Sequence, residues 1–489
     1  MNIPKKGLSK AELFAKMEAY RANDMNWRDG RCWAYVYDPG PEAEEVIKQA
    51  YLMYLSDNAL DFSVFPSVLR FENEIVAMAA AHLNGDENVV GNFSSGGTES
   101  IILAVKTARD YSRAKRPEIR APEMILPVTA HAAFQKAAHY LDVIPVRVPV
   151  DTTTFRADVD AVRRAITPNT ILLVGSAVSY AHGVVDPIRE LGQLAHEHNL
   201  LLHVDACMGG FLLPYFRRLG ASVPEFDFKV PGVTSISMDL HKYAFAAKGA
   251  STILYRNAEL RRYQIYTCAQ WTGYTVVNPT VQSTKSAGPL AAAWAVLNFI
   301  GDEGYLQMAR QMLDATRRIA AGIERIDGLR LLGRPDMNLV AFTSDSVSVF
   351  HLIDEMKQRG WYIQPQLGFR GSKENIHLSI NPASAKWVDE FIADLRECAE
   401  KARAIPSGEL TDVVRQFVSE LKPGELDDQS LAGMLSLVGA EGAALPARMA
   451  SINEMLNSLP AELREQVLTA YVNQLFRYRG SDSRSTPEC

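Results

Sequence analysis

Residues 200–210 read Leu-Leu-Leu-His-Val-Asp-Ala-Cys-Met-Gly-Gly. A mostly apolar run ends in Asp205 and gives way to small residues. That is the pattern of a strand buried on both faces that carries one carboxylate at its end. Residues 124–128, 143–148, 171–174, 234–238 and 251–255 also read as strands, with helix-period segments such as 99–113 and 158–165 between them. This alternation predicts an α/β fold with a large, mostly parallel sheet covered on both faces. Pro127 and Pro145 argue against central places for the first two strands, because proline cannot donate to the ladder. In such a sheet the ligand site lies beyond the carboxyl ends of the strands, where Asp205 falls.

The chain has 489 residues, too many for one simple core, so two or three cooperating domains are expected. The pattern divides it into an N-terminal arm (1–57), a large domain (58–295), a smaller α+β domain (296–405) and a helical C-terminal extension (406–489) with a disordered tail. In the arm, an amphipathic helix near 10–21 precedes a Trp/Tyr-rich stretch, 31–37, suited to wrapping a partner subunit. In the extension, Ser458 is expected to cap a helix that starts at Pro460-Ala461-Glu462. A net charge of −6 argues against a nucleic-acid surface as the main function. The five cysteines lack metal-ligand spacing and point to free thiols in a reducing compartment. No secretory signal or membrane-length apolar run is recognisable, so a cytoplasmic protein is expected.

Polar residues recur at successive strand ends. Lys242, in Asp239-Leu240-His241-Lys242-Tyr243, follows a buried strand and has His241 beside it and Lys248-Gly249 downstream. A lysine in an electropositive, partly desolvated site has a lowered pKa and can form an imine; the alternative is a surface lysine at a strand end. Asp205 can meet a pyridine nitrogen, or simply cap the next turn. Ser94-Ser95-Gly96-Gly97-Thr98 opens a helix and can hold a phosphate on free N–H groups, or be an ordinary capped loop. His131, after the 124–128 strand, can stack on a flat ring or act as a cap. Tyr180, His182 and Asp186 lie in the loop after 171–174, where they can move protons or order the loop. Together these residues point to pyridoxal 5′-phosphate (PLP) bound to Lys242 as a Schiff base. The chain has no G-x-G-x-x-G opening a helix, no P-loop and no H-E-x-x-H, and no metal is expected.

The order Ser95-Gly96-Gly97-Thr98-Glu99-Ser100, His131-Ala132-Ala133-Phe134, His203-Val204-Asp205-Ala206-Cys207 and His241-Lys242-Tyr243 resembles the group II PLP-dependent decarboxylases. Within them, Asp-Ala-Cys and the strand Val233-Thr234-Ser235-Ile236-Ser237 look more like the sphingosine-1-phosphate lyases. The resemblance implies a fold-type I (aspartate-aminotransferase-like) homodimer that shares its active sites, acting on a small amine or amino acid. It implies that Lys242 is the PLP lysine, that Asp205 meets the ring nitrogen and that His131 stacks on the ring. Gly97, Thr98, His241 and Thr284 would serve the cofactor. Tyr37 and Lys248 would bind substrate phosphate, with His182, Tyr180, His131 or His241 moving protons. Asp61 stands where the lyases' phosphate-binding His is expected, and an unpaired aspartate there repels phosphate. Tyr274, Val276 and Ser283-Thr284-Lys285 also depart from the family loop. The leading expectation is a lyase that cleaves the Cα–Cβ bond of an amino alcohol. The alternative is an amino-acid decarboxylase, and a PLP-binding protein without turnover is a third reading.

Overall fold

The computed structural model describes residues 2–406, 446–476 and 478. The helical reading of 407–445 and the disordered tail at 480–489 lie outside the described residues.

The larger sheet has the order β1-β7-β6-β5-β4-β2-β3. Its strands are β1 (Val90–Ser94), β2 (Glu123–Pro127), β3 (Ile144–Val148), β4 (Thr170–Ser176), β5 (Leu201–Asp205), β6 (Ser235–Asp239) and β7 (Ser251–Tyr255). Every neighbouring pair from β3 across to β6 is parallel; β7 is antiparallel to both of its neighbours. β4 and β6 are buried along their whole length; β4 reads accordingly as a largely apolar run, while β6 (Ser-Ile-Ser-Met-Asp) alternates apolar and small polar residues. Proline placement is resolved differently for the two suspect strands. β3, with Pro145, is an edge, whereas β2 is interior and tolerates Pro127 because it is the last residue of the strand.

A hairpin of β8 (Tyr266–Cys268) and β9 (Val276–Asn278) precedes the helix Gly288–Ile323, which breaks its regular geometry at Gly301 (φ 63°). The smaller sheet follows, with β10 (Leu329–Leu331), β11 (Leu339–Ser344), β12 (Gln364–Gln366) and β13 (Asn375–Ser379) in the antiparallel order β10-β11-β13-β12. Helices Val349–Gln358 and Val388–Arg403 cover it. Its core takes in a residue from the N-terminal arm. Trp33 is fully buried, stacks on Phe391 at 4.1 Å and meets Trp361 edge-on at 5.9 Å. Trp33 of the arm therefore packs into the small-domain core of its own chain, while Tyr35 in the same stretch stays exposed. The helix Lys10–Tyr20 buries none of its residues and exposes Leu13, Phe14 and Met17.

Two C-terminal helices, Ala450–Ser458 and Ala461–Leu475, pack together through Ile452, Met455, Leu459 and Val467. Ser458 does not cap the second. It closes the first helix by donating to the Met455 carbonyl at 2.7 Å, and Pro460 holds the cap position. The first helix is capped from outside, because the buried Asp354 accepts the Met449 and Ala450 N–H groups at 2.9 Å each. Among the described residues, no helix is long and apolar enough to cross a membrane.

Asp354→Ala strands two N–H groups at a buried junction. It should lower unfolding free energy by about 2 kcal/mol, measured by urea titration, and the 446–476 segment should become the earliest proteolytic product.

Candidate active site

β5 ends in Asp205 and β6 in Asp239, and the connection from β6 to β7 carries His241, Lys242 and Lys248. β1 ends at Ser94, and Ser95-Gly96 leads into the 19-residue helix Gly97–Lys115. No side chain caps that helix, so its first N–H groups remain available to an anion. A Cβ on Gly97 would lie 2.8 Å from both Asp239 Oδ2 and Cys207 Sγ. Glycine is what lets the helix start come this close to the ends of β5 and β6. Asp205 Oδ1 accepts the Cys207 N–H at 3.1 Å, which fixes the carboxylate at the strand end.

Lys242 Nζ lies 2.9 Å from Asp239 Oδ2. Burial pushes the ammonium toward neutrality, but the Asp239 carboxylate outweighs it, and the lysine pKa is raised. This corrects the lowered pKa read from the sequence: one carboxylate three residues upstream reverses the sign. Burial pushes the Asp239 carboxyl up, while Lys242 and then His241 pull it below its ordinary range. Asp239 Oδ1 is buried without a hydrogen-bond partner. His241 Nε2 is 3.6 Å from the same carboxylate, and its Nδ1 accepts the Ala250 N–H at 3.1 Å. Burial lowers the His241 pKa, which favours the neutral ring.

Tyr37 and Lys248 join this group from distant parts of the chain. Lys248 Nζ sits 4.4 Å from the centre of the Tyr37 ring and donates to the Tyr35 carbonyl at 3.3 Å. Its side chain remains open to solvent, yet the surrounding protein and then the like charge of Lys242 push its pKa down to about 8. Burial pushes the Tyr37 phenol up to about 12. Tyr180 donates its hydroxyl to Gln364 Oε1 at 2.6 Å and stacks on His377 at 4.4 Å. Burial raises its pKa, and Tyr37 and Lys242 are among the groups acting on it.

Other residues picked out from the sequence have their hydrogen-bond and packing partners outside the Lys242 group. His182 is packed between Phe155, stacked at 4.1 Å, and Ser372 Oγ, 3.0 Å from Nε2; burial lowers its pKa to about 4. Its partners are these residues and not the Lys242 group. His131 is exposed beyond β2, where its Nδ1 accepts the Ala133 N–H at 3.1 Å at the start of helix Ala133–Leu141. Asp61 is exposed on a cavity of about 400 Å³ shared with Arg261, and Ser63 donates to it through its hydroxyl and N–H, holding the carboxyl below its usual range. Thr284 lines a different cavity, of about 280 Å³, with Ser94, Ser95 and Gly249. Glu99 ties that loop to the glycine turn, accepting from Val281 N at 2.7 Å and Ser95 N at 2.6 Å. Sequence reading gave no role to Asp239, Cys207, Glu99 or Gln364. Only Asp239 had a usable signal, a strand-terminal acid three residues before the lysine.

The residues fit PLP. A buried amine, a strand-end carboxylate and an uncapped helix start match its aldehyde, ring nitrogen and phosphate, and the bare Gly97 leaves the turn uncovered on the site side. Lys242→Ala should abolish cofactor absorbance that survives gel filtration. It also leaves Asp239 buried without its main cation, which should cost roughly 3 kcal/mol of stability at pH 8. The penalty should shrink as pH falls, because the protonated carboxyl is cheaper to bury, and Asp239→Asn in the same chain should recover much of it.

A family model for the pyridoxal-dependent decarboxylase conserved domain matches residues 47–345. A second, for the HTH-type C-terminal domain of pyridoxal-dependent enzymes, matches 412–474. Sphingosine-1-phosphate lyase of Arabidopsis thaliana is 43% identical over 448 residues, covering 87% of this chain and 80% of that protein. The solved structure of Burkholderia pseudomallei sphingosine-1-phosphate lyase superposes with a TM-score of 0.80 at 35% identity, over 86% of this chain and 96% of that one. Glutamate decarboxylase of Lactobacillus brevis shares the fold at 20% identity, with a TM-score of 0.73 over 83% of this chain and 96% of that one.

Proposed function

The chain belongs to the pyridoxal-dependent decarboxylase family and is a PLP-dependent lyase, and from that premise we propose that it splits the Cα–Cβ bond of a phosphorylated amino alcohol. The observation that carries this reading is Lys248 held over the Tyr37 ring beside Lys242. It sets a cation where the anionic end of a substrate can reach while its amine meets the cofactor. The similarity to sphingosine-1-phosphate lyases supports the same bond and substrate class.

When bound, PLP supplies an aldehyde that condenses with an amine and a ring that takes up the electrons of the broken bond. In this reading Lys242 would anchor the cofactor through its amine, and Nζ would be the group placed to move a proton at Cα. Asp205 would meet the ring nitrogen and His131 would stack on the ring. Gly97 and Thr98 N–H groups, with His241 and Thr284, would hold the cofactor phosphate. The Tyr180 hydroxyl, kept protonated by burial and oriented by Gln364, would accept a hydrogen bond from the β-hydroxyl group and hold it in place for cleavage. His182 steadies the loop behind it. Asp61 is left out of the set, since its hydrogen bonds to Ser63 keep it ionised.

The reading includes a cytoplasmic homodimer. Cys32, Cys207, Cys268 and Cys398 are free thiols, and the unburied helix Lys10–Tyr20 offers apolar surface to a second copy.

Incubation with sphingosine-1-phosphate, shorter phosphorylated amino alcohols and amino acids, followed by product identification, tests the reaction. Aldehyde plus phosphorylated amine without CO2 supports it, whereas CO2 from an amino acid supports decarboxylation. Tyr180→Phe should lower kcat roughly 100-fold while PLP stays bound. A protonated Lys248 favours the anionic substrate, so kcat/KM should fall as pH rises through the Lys248 pKa, which burial holds below that of an ordinary lysine. Lys248→Arg should move that limb to higher pH, and Lys248→Met should lower kcat/KM at neutral pH and erase the limb.

A further inference from the structure

The loop after β4 carries Tyr180 and His182, and the smaller sheet grips it at three successive residues. Gln364 accepts from Tyr180 at 2.6 Å, Gln366 Nε2 donates to the Ala181 carbonyl at 3.2 Å, and Ser372 Oγ meets His182 Nε2 at 3.0 Å. Gln364 and Gln366 lie on β12, and Ser372 closes the tight turn between β12 and β13. Phe369 and Ser372 exchange backbone hydrogen bonds at 2.9 Å across Arg370 and Gly371, both with positive φ (41° and 89°). Two such residues form the hairpin turn that matches strand twist.

That hairpin is held in turn by the C-terminal helices. Asn457 Oδ1 accepts the Gly368 N–H at 2.7 Å, and Asn457 Nδ2 donates to Glu374 Oε2 at 3.4 Å, so one amide clasps both legs. Leu367 packs against both the small-domain core and the cluster formed by the C-terminal helices. The helix bearing Asn457 is fixed at its other end by Asp354, and Glu454 accepts from Ser348 at 2.9 Å. A rigid connection thus runs from Asp354 through Asn457 and the hairpin to the Tyr180–His182 loop.

We infer that the C-terminal helical pair is a working part of the active site and that Asn457 is a positioning residue, setting through the 367–374 hairpin where the Tyr180 hydroxyl and the His182 ring stand. Its effect on turnover rests on the proposed role of Tyr180; its effect on loop position does not. Asn457 touches neither the Lys242 group nor the glycine turn, so PLP retention is independent of it.

The test uses PLP-loaded full-length protein, with hydrogen–deuterium exchange as the first readout. In Asn457→Ala, exchange should rise roughly threefold or more at 177–185 as well as at 367–374, with 201–205 unchanged. A merely structural anchor would loosen 367–374 alone, and that result overturns the inference. Cofactor absorbance should match the parent protein, while kcat per loaded site on the substrate identified by product analysis falls roughly 5- to 10-fold. Asn457→Asp combined with Glu374→Gln keeps the acceptor for Gly368 and reverses the polarity of the second bond. It should restore both protection and kcat; failure to restore either counts against the inference. Tyr180→Phe alone reports on the role of the Tyr180 hydroxyl: if it is fully active while Asn457→Ala is still deficient and loosened at 177–185, that role falls and the brace stands through His182.

Discussion

A strand covered on both faces has only its ends free for chemistry. β4 and β6 are buried at every residue and β5 at all but its first, so any polar group inside them must be matched within the sheet. His203 shows how: its ring nitrogens lie 2.8 Å from Ser235 Oγ and 3.2 Å from Ser237 Oγ, a closed bridge between β5 and β6. Burial lowers its pKa to about 4, so it stays neutral. Polar residues that are not closed off in this way collect at the carboxyl ends. Because β5 and β6 are parallel neighbours, Asp205 and Asp239 arrive on the same side. The antiparallel β7 then does a second job. It forces the chain to turn straight back after β6, with Leu240 and His241 N–H groups bonded to the Ala250 carbonyl. His241, Lys242 and Lys248 therefore share one short connection.

This constraint explains what was legible in the residues. The apolar run that stops at Asp205 marks a buried strand and its end together, so the fold and the candidate cofactor residue at that end came from one signal. β1 went unread because Val-Gly-Asn-Phe-Ser has too few apolar residues to stand out. Gly91 is there for close approach, since a Cβ would lie 2.3 Å from the Ile253 carbonyl oxygen on β7. The pKa of Lys242 was read with the wrong sign because sequence proximity does not reveal which neighbour points at the ammonium. Asp239 does so at 2.9 Å, while burial lowers the His241 pKa. Trp33 was visible as a cluster of aromatics but not as a small-domain core residue, because its partners Trp361 and Phe391 lie more than three hundred positions away.

The proposed substrate half follows a different logic. Tyr37 comes from the arm and Gln364 and His377 come from β12 and β13, so this wall is assembled by tertiary packing that no local pattern announces. Such a wall can change residue by residue while Asp205, Gly97 and Lys242 keep their places, since they depend on the sheet. The two halves still communicate through charge. Lys248 owes part of its lowered pKa to Lys242, so chemistry that neutralises the Lys242 amine relieves that repulsion and raises the affinity of Lys248 for its proton. The same step leaves Asp239, already short of a partner for Oδ1, without its nearest cation. The Lys242 end thus bears on the charge of the Lys248 end without a hydrogen bond between the two lysines.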